Sequence, residues 1–529
     1  MPALRSVIFF AFCCYFFQIS AQPWIPDNGD GTYKNPVLYA DYSDPDVIRV
    51  GEDYYLIASS FTCQPGIPVL HSKDLVNWTI INYVYDRLPL QRYEQVQPGQ
   101  GSWAPSIRFH KGIFYVYFCT PEDGLFLATT NDPAKKWTLT LVQRTGNWED
   151  PCPFWDDDGT AYLIHGRVGA GPAILHKMSA DGKRLLDNGQ IIYRDDQRQP
   201  VLEGFKFMEK RDGYYYFTAP AGGVATGWQS VFRSKDIYGP YEDKVVLQQG
   251  ATSVNGPHQG GFVQTQTGEW WFLHFQDANA YGRMVHLQPV VWKNGWPVVG
   301  KDDDNDGIGE PVLKNAKPNT GKTYPIAAPQ TSDEFNSTTY GLQWQWQAAP
   351  RKQWWNMGAR AGFLRLNAAT APTDSGSLFY AANQLLQKFM APAFSVTTKM
   401  VFNPMSDGDI AGLTVAGNYY SAIALEQRGP SLFVVLYEGK RENRKYLVPK
   451  TLVASKASSK EIYFKLTIDK NAMCTYAYSF DGTTYTPFGT AYPAEKGTWI
   501  GAKVGLFCLN PGLVSSKGYA DFDFFRVTP

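Results

Sequence analysis

Gly51-Glu52-Asp53-Tyr54-Tyr55 opens a series that continues at Gly112-Ile113-Phe114-Tyr115, Gly159-Thr160-Ala161-Tyr162, Gly213-Tyr214-Tyr215-Tyr216 and Gly268-Glu269-Trp270-Trp271. Each is a glycine turn followed by an aromatic strand. The glycines are spaced 61, 47, 54 and 55 residues apart, close to the length of a four-stranded propeller blade with its loops. Five such units fill residues 22–310, so the spacing predicts a five-bladed β-propeller.

The strand before each turn should run nearest the propeller axis, and the residues that open it are chemically unusual. Asp44 stands 7 residues before its glycine, Trp103 and Asp150 each 9, and Glu203 and His258 each 10. Equivalent positions on five blades converge, so residues far apart in the chain should form one constellation of three carboxylates, an indole and an imidazole. Residues 311–331, with Pro311, Pro318, Pro325 and Pro329 among polar residues, have the composition of an interdomain linker. From Ser332 to Pro529, alternating segments such as Phe433-Val434-Val435-Leu436-Tyr437 predict a β-sandwich domain, which makes the whole chain all-β.

Composition limits the partners. Lys plus Arg and Asp plus Glu both number 49 among 529 residues, a formal charge of zero, so no broad basic field attracts nucleic acid. Arg5, the apolar run Val7–Phe17 and Ile19-Ser20-Ala21 read as a signal peptide over residues 1–21. The apolar run is too short to span a bilayer, and neither Cys13 nor Cys14 has a lipoprotein context. The expected location is therefore periplasmic or extracellular. Cys63, Cys119, Cys152, Cys474 and Cys508 remain after cleavage; scattered and odd in number, they read as apolar packing residues rather than a disulfide or zinc framework.

Asp44, Asp150 and Glu203 suit glycosidic hydrolysis, which needs one carboxyl group to protonate the leaving oxygen and another to activate water or attack the sugar. Glu203 is flanked by Val201, Leu202 and Phe205, so its pKa is expected to be raised, with the Asp150 charge raising it further. Asp46, beyond Pro45, should point away from Asp44. GxSxG and HExxH are absent, which disfavours serine hydrolase and metalloprotease chemistry. Asp302, Asp304 and Asp306 follow the opening spacing of a calcium loop, but Leu313 stands where the closing Glu belongs. A solvated acidic turn is the default there, and a lone structural calcium the alternative.

Asn35-Pro36-Val37, Ser43-Asp44-Pro45-Asp46, Trp103-Ala104-Pro105, Asp150-Pro151 with Asp156-Asp157-Asp158-Gly159, Glu203-Gly204 and Gly256-Pro257-His258 together resemble glycoside hydrolase family 43. The likeness covers residues 35 to about 300, and the following sandwich resembles the C-terminal domain of two-domain members. It implies an inverting hydrolase with Asp44 as base, Asp150 as pKa modulator and Glu203 as acid, and no cofactor in the chemistry. Trp103 would wall the first subsite, Arg283 would bind sugar hydroxyls, and His258 would stand near the axis toward a cation or its water. Phe61 and Trp228 would crowd the rim and enforce exo action. Ala58-Ser59-Ser60-Phe61, Ala219-Pro220-Ala221-Gly222-Gly223 and Gly256–Gly261 look most like the arabinofuranosidase branch. The expected substrate is thus a terminal α-L-arabinofuranosyl unit of a plant polysaccharide or oligosaccharide. A β-D-xylosidase is the alternative within the family, and a non-catalytic sugar-binding propeller the alternative outside enzymes. One departure is Phe205, where related members have proline after Glu-Gly.

Overall fold

The computed structural model describes residues 22–169, 171–370, 377–442, 445–512 and 516–529; the expected signal peptide lies outside them. Five four-stranded antiparallel sheets, each built from strands consecutive in the chain, form the propeller. Their first strands are Asp46–Val50, Trp103–His110, Trp148–Trp155, Lys206–Arg211 and His258–Gln264. These strands touch their counterparts in neighbouring blades, which makes them the inner ring. Alternation along each strand sends one face into the apolar layers between blades, such as Phe205, Phe207, Phe217 and Phe232 between the third and fourth.

Polar bonds hold the ring at its axis. Asp46, buried, accepts from Arg108 Nη1 at 2.7 Å and from the Ile107 amide at 2.9 Å. Arg108 Nη2 then reaches Cys152 Sγ at 3.0 Å and the Phe207 carbonyl at 2.6 Å, so one guanidinium joins four blades. Asp46 is thus structural, and its partners are not those of Asp44, which bonds Arg283 and Ser59.

Among the described residues no strand crosses between the first and fifth sheets to lock the ring. The chain start does this instead. Asn35 exchanges side-chain bonds with Leu287 of the fifth blade, Leu38 bridges Val285, and the Tyr42 amide donates to the Arg283 carbonyl. Residues 311–331 follow the propeller surface rather than crossing open solvent: Lys314–Ala316 pairs with Thr32–Lys34, and Lys317 bonds Asp27 and Asp74 at 2.6 and 2.8 Å.

The C-terminal unit is a sandwich of a nine-stranded and an eight-stranded sheet. Phe394–Asn403 alternates strictly between buried and half-buried positions, as a strand packed on one face requires. Val96, Ala280, Tyr281 and Met284 of the propeller belong to the same apolar cluster as the sandwich core. At this junction Lys503 Nζ contacts Cys63 Sγ at 3.0 Å, and burial with the neighbouring Lys503 charge pushes the Lys388 amine down to about 8. All five cysteines expected as packing residues are buried and free. No helix among the described residues is long and apolar enough to cross a membrane.

Candidate active site

Asp44 sits two residues before the first inner strand, Trp103 and His258 begin theirs, Asp150 is third in its strand, and Glu203 stands three before its own. Asp44 and Asp150 adopt φ of 54° and 56°, left-handed values that a short polar side chain tolerates better than most. The ladder slips beside these residues, between Trp103 and Ser106, between Glu149 and Cys152, and between His258 and Gly260. Bulges of this kind turn a side chain off the sheet normal and toward a site.

Ring closure sets the environment of Asp44. Its Oδ1 accepts from Arg283 Nη1 at 2.5 Å and its Oδ2 from Ser59 Oγ at 2.6 Å, so a buried carboxylate is held by a buried guanidinium and a hydroxyl. The Arg283 guanidinium lies over Phe275, 4.7 Å from its centroid. On the other side of the site, Glu203 Oε1 meets His258 Nε2 at 2.7 Å, while Asp150 Oδ2 accepts from the Gly204 amide at 2.6 Å. Asp150 therefore fixes the peptide that follows Glu203. Gly204, at φ 66°, must lack a Cβ there, since one would press on Pro220 and Gln259.

The electrostatics differ from the sequence expectation at Glu203. Burial does push its carboxyl upward, but the His258 hydrogen bond and the His258 and Arg283 charges outweigh it, and the net shift is downward. Apolar flanking residues did not reveal this because the deciding partners come from the fifth blade. Asp150 carries the raised pKa instead, about 7, through burial and the Glu203 charge. Its neighbour Glu149, unremarked in the sequence, is buried, has Oε1 without a hydrogen-bond partner, and is pushed up to about 9 by burial and then by Asp150, Glu203 and Asp44. His258 neither packs as an inert core histidine nor turns away from the acid: Nε2 serves Glu203, and Nδ1 is buried with no partner.

Trp103 is half-buried, its indole N–H bonded to the Gly99 carbonyl at 2.8 Å and its ring edge-on to Phe61 at 6.3 Å. Phe61 is itself buried at φ 49° and exchanges backbone bonds with Ser102, so the two rings are fixed together. Trp228 opens a strand of the fourth blade. Its indole donates to Gln199 Oε1 at 3.2 Å, and its ring covers Gly222 and packs on the cluster between the third and fourth blades. A second ring that meets Trp103 is Trp499 of the sandwich, 6.1 Å away and 49 % exposed, which also lies 5.8 Å from the Arg283 guanidinium. Nothing in the local sequence of Trp499 marks it, since its place depends on how the two domains dock. Asp302, Asp304 and Asp306 form an acidic turn after the fifth blade, remote from these residues in the chain; one carboxylate oxygen from each lies within 4.8 Å of the others. Asp302 Oδ2 is paired with Lys293 at 3.1 Å, and its Oδ1 is buried without a partner.

Two buried carboxyls and a half-buried one, an arginine clamped to the first and an imidazole bonded to the last, beside an aromatic wall, are the parts needed to cut a glycosidic bond. Comparison with known proteins agrees. Residues 33–297 match the profile of "Glycosyl hydrolases family 43", and residues 332–528 match "Beta xylosidase C-terminal Concanavalin A-like domain". The chain belongs to glycosyl hydrolase family 43. It is 44% identical over 506 residues to a "Putative beta-xylosidase" of Xylanibacter ruminicola, covering 95% of this chain and 90% of the relative. A "Beta-xylosidase" of Formosa agariphila is 33% identical over 94% of this chain and 90% of its own length. A non-reducing end alpha-L-arabinofuranosidase of Bacteroides ovatus is 28% identical, covering 93% and 94%. Among solved structures, a family-43 protein mutant from Bacillus licheniformis superposes with a TM-score of 0.82 at 27% identity, covering 94% of this chain and 99% of that one. The family-43 chain described here is accordingly a glycosidase acting on carbohydrate.

Proposed function

We propose that this family-43 enzyme is an exported, exo-acting, inverting β-D-xylosidase that removes terminal xylosyl units from plant cell-wall oligosaccharides. The observation that carries the sugar is the likeness along both domains to relatives named for β-xylosidase activity at 44% and 33% identity, against 28% for a relative named as an arabinofuranosidase. The short motifs that favoured arabinofuranose do not outweigh similarity over the whole chain. Arabinofuranose thus becomes the second reading.

In this mechanism Asp44 draws a proton from water, with Arg283 and Ser59 holding the carboxylate in one orientation. Water attacks the anomeric carbon as Glu203 protonates the leaving oxygen. A bound sugar that expels water favours the neutral carboxyl, the direction in which Glu203 must move from its His258-paired state. Asp150 places Glu203 through the Gly204 amide. Exo action is supported by Phe61, Trp103 and Trp499, which crowd one side of the site. No cofactor enters these steps, and any calcium held by Asp302, Asp304 and Asp306 has a structural role.

Matched aryl β-D-xylopyranoside and α-L-arabinofuranoside, followed by early-time NMR of the released sugar, test the proposal. Faster xyloside turnover with an inverted first product is expected. Faster arabinofuranoside turnover selects the second reading, and a retained product overturns the role of Asp44 as base.

A further inference from the structure

Asp41 lies three residues before Asp44, is 3 % exposed, and has a part in none of the steps above. Its two oxygens are fully used. Oδ1 accepts from the Arg283 amide at 2.9 Å and from Ser43 Oγ at 2.9 Å, while Oδ2 accepts from the Gly501 amide at 3.0 Å. The first bond holds the residue whose guanidinium grips Asp44, the second holds the residue that precedes Asp44, and the third holds the sandwich loop that carries Trp499.

The surrounding backbone is packed to the same purpose. The Ala502 amide donates to the Ala280 carbonyl at 2.7 Å, and Lys496 Nζ pairs with Asp277 at 2.7 Å, so the loop is tied to the fifth blade on both sides of Trp499. Gly282 has φ 71° and its missing Cβ would stand 2.5 Å from the Asp41 carboxyl; a Cβ on Gly501 would stand 2.8 Å from Gly282 Cα. Two glycines without side chains thus let the carboxylate reach both domains. Charged groups facing this junction include Arg283, Asp44, Asp277 and Lys496, together with Lys388 of the sandwich, which feels the Asp41 charge.

The geometry points to Asp41 as a positioning residue that couples docking of the sandwich domain to orientation of the catalytic base, acting through Arg283 and Ser43 on Asp44 and through Gly501 on Trp499. A catalytic carboxylate must be held to within about 0.5 Å, and a shift of about 1 Å costs on the order of a hundredfold in rate. Arg283 approaches Asp44 from a separate blade, so its backbone needs a fixed point near Asp44. Asp41 supplies that point. Since the same carboxylate also holds the Gly501 amide, a loosened sandwich loop leaves Asp41 free to turn and Arg283 less firmly placed. The site is therefore complete only with the second domain docked. This inference rests on Asp44 being the base.

The test is Asp41→Asn in the full-length enzyme, alone and with Arg283→Lys, using the aryl glycoside it turns over best. An amide has a single acceptor oxygen, so at least one of the two backbone N–H groups faces an NH2. Expected is a kcat lowered about 10- to 100-fold with KM changed less than about threefold. In the Arg283→Lys background the same substitution should lower kcat less than about threefold, because its route of action is already lost. A purely structural role predicts equal loss in both backgrounds, and that outcome, or an unchanged kcat, overturns the inference. Should Asp41→Asn fail to fold, Gly501→Ala displaces the loop while sparing the carboxylate. It should likewise lower kcat in the parent and much less beside Arg283→Lys, and equal losses there overturn the inference too. Asp44→Asn separates the two levels: if it keeps activity, the base assignment fails; if it is inactive while Asp41→Asn is normal, only the coupling fails.

Discussion

At the scale of single residues, the site assigns different tasks to carboxyls that look alike in the sequence. Glu203 is bonded to His258 and Asp44 to Arg283, whereas Asp150 has only a backbone amide and Glu149 has an oxygen with no partner. Role separation follows from this. Glu203→Gln should lose about a hundred- to ten-thousand-fold on a natural oligosaccharide and markedly less on an activated aryl glycoside, whose leaving group needs little protonation. Comparable losses on the two substrates would remove Glu203 from the acid role. Glu149 gives a stability prediction. Its folded pKa of about 9 exceeds the unfolded carboxylate value, so between about pH 5 and 9 the folded state retains a proton that the unfolded state has released. Stability is then lost as pH rises through that window. Glu149→Gln removes this term, so its unfolding free energy should gain steadily on the parent as pH rises through that window. A gain independent of pH in denaturant titrations would show that Glu149 is not held neutral.

At the scale of elements, the inner strands do two things at once. Residues at or near their starts face the site, while Asp46, Arg108 and Cys152 bond one another across the ring. The acidic turn after the fifth blade is a separate element. Asp302, Asp304 and Asp306 bring oxygens together, but Lys293 already neutralises part of that charge. Millimolar calcium should raise the Tm by a few degrees without changing kcat, and Asp304→Asn with Asp306→Asn should abolish the rise. Complete, calcium-reversible loss of activity on chelation, with the fold intact, would contradict a structural role.

At the scale of the whole molecule, the two domains share a core. Val96, Ala280, Tyr281 and Met284 pack in the sandwich cluster, the Trp346 backbone exchanges hydrogen bonds with Gln64, and Tyr281 Oη donates to carbonyls of Pro392 and Asp469. Separating the domains would expose this apolar surface and leave buried polar groups without partners. Calorimetry should therefore show one cooperative unfolding transition. Two transitions separated by several degrees would mean that the domains are thermodynamically independent, and the wall formed by Trp499 would then be a loose one.

The sequence by itself determined the propeller, the sandwich and the three carboxyl positions, because glycine turns, aromatic strands and the residues that open them recur with a period and depend only on near neighbours. Tertiary structure alone decided the pairings: His258 with Glu203, Arg283 with Asp44, and Asp41 with Gly501, the last 460 residues away. It reversed the expected shift at Glu203 and set Trp499 of the second domain against Trp103. The physical reason is the same in each case. A pKa or a contact depends on which groups lie within a few ångströms, and closing a ring and docking a second domain choose those groups without leaving a local mark on the chain.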